Sequence, residues 1–347
     1  FGTIGLRSEQ LGGHTIEITT YRAEHYDPGS RKPLVHFGDT LEADLERRDF
    51  TINAMALGVL DGELVDPFDG SADLRAGTLR TPGPAEASFL DDPLRMLRAA
   101  RFLARFSLRP DEGVEEAALQ HHERLAIVSA ERIRVELERL LEVDEPAPGL
   151  DFLQRNRLAA RLRPDDDLPA LIRDRVNATT NLLVRRAALW SDLPLTEIDA
   201  GLADLKYANR VRRQTKAIVE GARRIHELEP GDPALAGHLR MLIDHIGDEP
   251  AGTDAAVELA GIVAEGDAQA RVDRITASLD RLREAEDLTD LGPPINGGDL
   301  IAEFGLEPGP AVGRLVQALR RLRLEQGPLE RDVALDAARR LLAEGRA

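Results

Sequence analysis

The feature that most constrains this chain is a change of hydrophobic period between residues 80 and 86. Before it, apolar residues alternate or run β-branched; after it they recur at i, i+3 and i+4. An alternating pattern faces the two sides of a strand, whereas the longer period builds one stripe on a helix, so a single architecture cannot serve throughout. Gly2–Leu6 and His14–Tyr21 read as strands joined through Leu11-Gly12-Gly13, with a polar loop expected over Arg22–Lys32 and an acidic helix over Leu41–Arg48. Phe50–Val59 and Glu63–Asp66 read as a second hairpin about Asp61-Gly62, a strong turn dipeptide, and sheet is expected to end near Arg80. Helices follow over Asp91–Phe106, over Val114–His121 and after Ser129, which can cap with Glu131 in the first turn.

Pro146–Gly149 and Pro164–Pro169 read as breakers. Beyond them, helical spacing covers Asn181–Leu189, Ile198–Leu205, Arg210–Leu228, Pro233–Ile246, Ala255–Ala264, Ala268–Ala285, Gly298–Phe304, Pro310–Leu324 and Leu329–Ala343. No fixed period repeats, which argues against a solenoid. The expected fold class is α+β: a head containing sheet, then an all-helical remainder. At 347 residues it should pack as roughly two to three units.

Charge narrows the function classes. Forty-five basic against 62 acidic side chains leave a net charge of −17, so any nucleic-acid site must be a local patch rather than a basic coat. With 31% charged residues no membrane span is expected. The absence of cysteine removes disulfides, thiolate metal sites and Cys nucleophiles, and fits a cytoplasmic setting. Residue 1 is Phe, already at a strand, so the natural N-terminus is expected to lie upstream.

Two stretches carry candidate chemistry. In Phe89–Arg101, Asp92, Arg95, Arg98 and Arg101 stand three apart and are expected to form one slowly spiralling polar ridge on a single helix. In Glu46–Ala56, Arg47, Arg48 and Asp49 precede an expected strand that Asn53 interrupts. Taken singly, the first reads more readily as a solvated helix face with Asp92 answering the helix dipole, and the second as a helix end with an ordinary ion pair.

In order along the chain, these stretches fall among motifs that resemble the class II tRNA nucleotidyltransferase and bacterial poly(A) polymerase family, within the polymerase β superfamily. The motifs are Ile16–Arg22, Arg47–Ala54, Asp66–Gly70 with Leu79-Arg80-Thr81, Asp91–Arg95 and Ser129–Leu137; Ile295–Leu300 through Gly309–Gly313 looks like the family's tail segment. The resemblance implies a polymerase β-like nucleotidyltransferase head with an incomplete mixed sheet, followed by a helical neck, body and tail. The corresponding division is 1–83 head, 84–145 neck, 146–228 body and 229–347 body and tail.

The resemblance also assigns roles. Arg48, Arg98 and Arg101 would hold the triphosphate or shape its pocket, Asp49 and Asn53 would belong to the pocket's frame, and Asp92 and Arg95 would pair with the base. The last assignment makes physical sense. Cytosine and adenine both present an amino donor beside a ring-nitrogen acceptor, so one carboxylate and one guanidinium can bond either. Guanine and uracil reverse that order and would leave buried groups unpaired, at about 1–3 kcal/mol each.

The superfamily's chemistry implies Mg²⁺ held by head carboxylates. Its glycine-rich motif and Asp-x-Asp pair belong ahead of the strand at which this chain begins and do not stand in their expected places. The expectation is therefore an N-terminally truncated and catalytically inactive chain. Glu17 is the candidate third head carboxylate, with a solvent-facing strand position as its alternative. Asp165-Asp166-Asp167 reads as a solvated loop, and His121-His122 and Asp244-His245 lack the order of a metal phosphohydrolase module.

For RNA, the candidate patch is Lys206, Arg210, Arg212, Arg213, Lys216, Arg223 and Arg224, of which Lys206, Arg210, Arg213 and Lys216 are the leading residues. Arg320, Arg321 and Arg323 form a second. The leading functional expectation is a CCA-adding enzyme using CTP and ATP as donors and the tRNA 3′ end as acceptor. Alternatives are a bacterial poly(A) polymerase, enzymes adding only CC or only A, and a non-catalytic RNA-binding relative.

Overall fold

The computed structural model describes residues 3–7, 15–20, 22–25, 34–37, 40–247 and 250–344. They fall into two compact units: residues 1–177 with 204–206, and residues 178–203 with 207–347. The boundaries drawn from sequence at 83, 145 and 228 fall inside these units.

In the first unit, β1 (Thr3–Arg7) and β2 (Thr15–Thr19) pair antiparallel, with Ile4 opposite Ile18 and Leu6 opposite Ile16, as their alternation requires. The turn expected at Leu11–Gly13 lies outside the described residues. β3 (Arg22–His25) pairs antiparallel with β4 (Leu34–Phe37), which corrects the expectation of a loop starting at Arg22. Arg-Ala-Glu-His carries no alternation of its own; a partner about ten residues on makes it a strand. After α1 (Leu41–Glu46), capped by the Thr40 hydroxyl, the expected strand from Phe50 begins instead as a 3₁₀ turn, Thr51–Asn53. The Thr51 N–H donates to the Arg80 carbonyl at 2.8 Å, so a tertiary contact overrides β propensity there. Only β5 (Ala56–Leu57) and β6 (Leu64–Val65) form the hairpin, turned by Asp61 and by Gly62 at φ +71°.

The Asp66 carboxylate accepts from the Gly70 and Ser71 N–H groups and so starts α2 (Gly70–Ala76), a helix not expected from the sequence. A Cβ at residue 70 would lie 2.2 Å from the Thr51 carbonyl oxygen, so only glycine allows α2 to sit against the 3₁₀ turn. β7 (Thr78–Leu79) pairs in parallel with β8 (Arg109–Pro110), so sheet pairing runs past Arg80 in a strand too short to show a period. Between them lie α3 (Ala85–Asp91) and α4 (Leu94–Arg105). The single helix expected over Asp91–Phe106 is thus divided. Pro93 pushes its predecessor out of the helical region, and Asp92 adopts φ −135°, ψ 97°.

α6 (Ala130–Leu141) is capped by Ser129, as expected, and α5 (Glu112–His121) starts two residues earlier than its spacing suggested, capped by Asp111. Pro146 opens α7 (Ala147–Arg155) rather than breaking a helix, because its fixed φ suits the first turn. α8 (Ala170–Asn177) follows. α4 packs against α6 and α7, and Gly149 makes the second approach possible: a Cβ there would lie 2.5 Å from the Ala100 carbonyl oxygen.

The second unit contains α9 (Leu182–Leu189), α10 (Leu195–Asp204, whose last residue belongs to the first unit), α11 (Asn209–Glu227), α12 (Leu235–Ile246), α13 (Pro250–Val263), α14 (Asp267–Ala285), α15 (Gly297–Phe304), α16 (Pro310–Gln326) and α17 (Arg331–Ala343). α11 packs on α9, α12 and α13. Where α12 meets α16, Glu286 is held between buried Arg240 and Arg323 at 2.7 and 3.0 Å. α15, α16 and α17 close over their own small core of Leu300, Leu315, Leu319 and Ala338. Among the described residues no helix is long and apolar enough to cross a membrane.

Candidate functional site

The site is built around the break at Pro93. With Asp92 extended, it is not part of the ridge that Arg95, Arg98 and Arg101 form on α4, which corrects the four-residue ridge expected from spacing. It acts from the helix entrance instead. Its Oδ1 accepts from the Leu94 N–H at 3.2 Å and its Oδ2 from Arg132 at 2.8 Å. Arg95 is anchored separately, donating to the Ser88 hydroxyl at 2.7 Å and to the Arg47 carbonyl at 2.5 Å. Asp92 and Arg95 remain partly exposed. A carboxylate and a guanidinium, each oriented by protein contacts and open to solvent, therefore flank the first turn of α4.

Behind them runs an alternating charge chain. The buried Asp49 accepts from the Phe50 N–H at 2.9 Å and from the Asn53 amide at 3.1 Å, then takes two bonds from Arg98 at 2.8 and 2.5 Å. Phe50 fixes this segment through an edge contact with Phe102 on α4, with centroids 5.6 Å apart. Glu136 on α6, only 3% exposed, accepts from Arg101 at 2.8 Å and Arg139 at 3.0 Å and lies 3.6 Å from Arg98. Charge-assisted bonds of this kind fix a guanidinium's direction as well as its charge. Arg98 is partly exposed, whereas Arg101 is buried and stacks over Phe102 at 4.4 Å. Arg48 is exposed beside them, with Asp44 at 3.1 Å, and Asp44 also holds Arg47.

Glu17 lies exposed on β2 opposite Gly5. Among the described residues no group of three or more His, Asp or Glu side chains is arranged to hold a metal ion. Asp165 is tied to buried Arg163, whose hydrogen bond holds its carboxyl below the usual carboxylate range, and Asp167 accepts from Gln154. His121 faces Glu86, and His122 contacts the Leu119 carbonyl. Asp244 pairs with Arg320, and His245 with Glu220.

In the second unit, Arg210, Arg213, Lys216 and Glu220 of α11 line a cleft of about 540 Å³ together with His245 of α12. Asp199 accepts from Lys216 at 2.9 Å and Arg212 at 2.6 Å, and those two bonds hold its carboxyl below the usual range. Burial pushes the Glu220 carboxyl up, but His245 and Arg224 outweigh it and leave it lowered. Lys206 belongs to the first unit, where its carbonyl accepts from Arg134. Arg223 donates to the Ser191 and Leu193 carbonyls. The second cluster is internally matched: Arg320 to Asp244, Arg321 to Glu325 and Arg323 to Glu286.

Sequence reasoning did not single out Asp44, Ser88, Arg132 or Glu136. Arg132 and Glu136 lie four apart within the Ser129–Leu137 motif, but they pair with Asp92 and with Arg98 and Arg101 rather than with each other, which local spacing does not signal.

Residues 1–80 match the poly A polymerase head domain, and residues 107–166 match the probable RNA and SrmB-binding site of polymerase A. These matches define the class, a nucleotidyltransferase head followed by a helical segment of the kind described as a probable RNA-binding site. The CCA-adding enzyme of Lactiplantibacillus plantarum is 33% identical over 338 residues, covering 94% of this chain and 79% of that protein. That of Lactobacillus delbrueckii subsp. bulgaricus is 33% identical over 321 residues, covering 88% and 74%. The chain belongs to the CCA-adding enzyme family, as its motifs indicated. The structure of the Bacillus stearothermophilus CCA-adding enzyme in complex with CTP superposes with a TM-score of 0.70 at 26% identity, covering 100% of this chain and 83% of that one. The Thermotoga maritima CCA-adding enzyme complexed with tRNA shares the fold, with a TM-score of 0.61 at 21% identity and coverage of 98% and 79%.

Proposed function

We propose that this chain selects CTP and ATP for template-independent addition of C and A to the tRNA 3′ end, with pyrophosphate as the leaving group. The observation that carries the reading is the pair at the entrance of α4: Asp92 and Arg95, separately anchored and both open to solvent. Asp92 accepts the amino group of cytosine or adenine, and Arg95 donates to the neighbouring ring nitrogen. Arg98 and Arg48 meet the triphosphate. Buried Arg101 shapes the pocket from behind, and Asp49 with Asn53 holds Arg98 and the turn beside it.

On this reading residues 1–83 act as head, 84–145 as base-reading neck, and 146–228 and 229–347 as the body and tail that grip tRNA, with Arg210, Arg213 and Lys216 as the leading contacts. Mg²⁺ is the cofactor the family's chemistry calls for, and Glu17 is the head carboxylate proposed to serve it.

A second reading, a poly(A) polymerase, is favoured by the description of the matched head domain. The two separate on cytosine. Equilibrium binding of the four ribonucleoside triphosphates should show CTP and ATP at least tenfold tighter than GTP and UTP. ATP alone preferred would favour the second reading, and equal binding of all four overturns both.

A further inference from the structure

We propose that Arg132 is a positioning residue that determines nucleotide specificity: it fixes the Asp92 carboxylate in the orientation that accepts the base's amino group. The proposal rests on the base-reading role of Asp92.

The need for such a residue follows from Pro93. Pro93 holds Asp92 in extended backbone at the C-terminal cap of α3, where its N–H donates to the Ser88 carbonyl at 3.2 Å, so the residue lies between two helices and on the face of neither. One local bond, from the Leu94 N–H to Oδ1 at 3.2 Å, leaves the carboxylate plane free to turn about its last torsion. Arg132 supplies the second point, reaching Oδ2 at 2.8 Å from 40 residues away in sequence. Two anchors define the plane. An ionised carboxylate offers about four lone-pair positions, so two remain to meet an amino donor.

Arg132 is itself well placed to act as a fixed arm. It occupies the first turn of α6, where its N–H is capped by the Ser129 hydroxyl. Folding stability does not account for the pair. The two side chains are 53% and 30% exposed, and ion pairs so open to water contribute little to stability. Arg95 depends on Ser88 and the Arg47 carbonyl instead, so the two halves of the reading site are oriented independently. Removing Arg132 should therefore disturb recognition of the amino group and leave the contact to the ring nitrogen in place.

The experiment measures dissociation constants of CTP, ATP, GTP and UTP for the chain and for Arg132→Ala, Arg132→Lys and Asp92→Ala, with thermal melts on the same samples. Arg132→Ala should melt with wild type, weaken CTP and ATP severalfold, leave GTP and UTP unchanged, and so cut the discrimination ratio at least fivefold. Arg132→Lys, which keeps a charged donor, should restore most of the ratio. Asp92→Ala combined with Arg132→Ala should discriminate no less than Asp92→Ala alone. An unchanged ratio in Arg132→Ala, with the ratio lost in Asp92→Ala, overturns the role of Arg132 while the base reading stands. Equal binding of all four nucleotides by wild type overturns both together.

Discussion

Helices α4 and α11 each carry a row of basic residues three apart, yet the structure uses them differently. On α4, Arg98 and Arg101 are directed by the carboxylates of Asp49 and Glu136, both nearly buried, and Arg95 by a hydroxyl and a carbonyl. On α11, Arg210, Arg213 and Lys216 line an open cleft, and the neighbouring carboxylate Asp199 is itself partly exposed. Guanidinia fixed by buried carboxylates present a specific geometry, whereas Arg210 and Arg213, exposed on α11, present a field that salt can screen. The first arrangement suits reading a base and seating phosphates; the second suits gripping a polyanion of any sequence.

The sharpest way to break this contrast is to remove a buried carboxylate. Glu136→Ala leaves Arg101 enclosed without its partner and should cost about 3–5 kcal/mol in urea unfolding, because an uncompensated buried charge remains. Arg213→Ala, at an exposed position, should stay within about 0.5 kcal/mol of wild type. Similar losses in the two variants would erase the distinction.

Next in size is the effect on nucleotide choice. Asp92→Ala or Arg95→Ala should collapse the preference for CTP and ATP by about tenfold to a hundredfold while tRNA affinity stays near wild type. A large loss of tRNA affinity with unchanged nucleotide choice would move these residues to another role. Arg213→Ala should do the converse, weakening tRNA binding equally for all sequences and lowering the log-affinity against log-salt slope by about 0.9.

The smallest effect is a gain. Asp199→Asn should tighten tRNA binding severalfold at low salt by releasing Arg212 and Lys216. Lys216 and Arg212 lower the Asp199 carboxyl, so the pairing holds above the ordinary carboxylate range and is lost only as pH falls through the lowered value. The difference between variant and wild type should thus stay constant between about pH 5 and 8.

Much of this was legible from residue patterns. The β-branched alternation of β1 and β2, the Asp61-Gly62 turn, the Ser129 cap and the helices of the second unit follow from local chemistry, and the motif order carried the family. What local pattern could not give were pairings fixed by distant partners. Arg22–His25 is a strand because of Leu34–Phe37, and Thr51 leaves the sheet because its N–H meets the Arg80 carbonyl. Pro93 differs from these: the steric rule for residues preceding proline was local and available, yet the helix was expected to run through Asp92. The carboxylates that orient the arginines, Asp49 for Arg98 and Glu136 for Arg101, stand 49 and 35 residues from their partners. Only packing reveals such pairs.

The most direct test is a cycle that removes the Asp92 carboxylate and the amino group it is assigned to read. CTP and its analogue lacking the exocyclic amino group would be titrated against wild type and Asp92→Ala. Deleting the amino group should weaken binding to wild type by about tenfold or more and leave the affinity of Asp92→Ala unchanged. An equal penalty in both proteins would contradict the account.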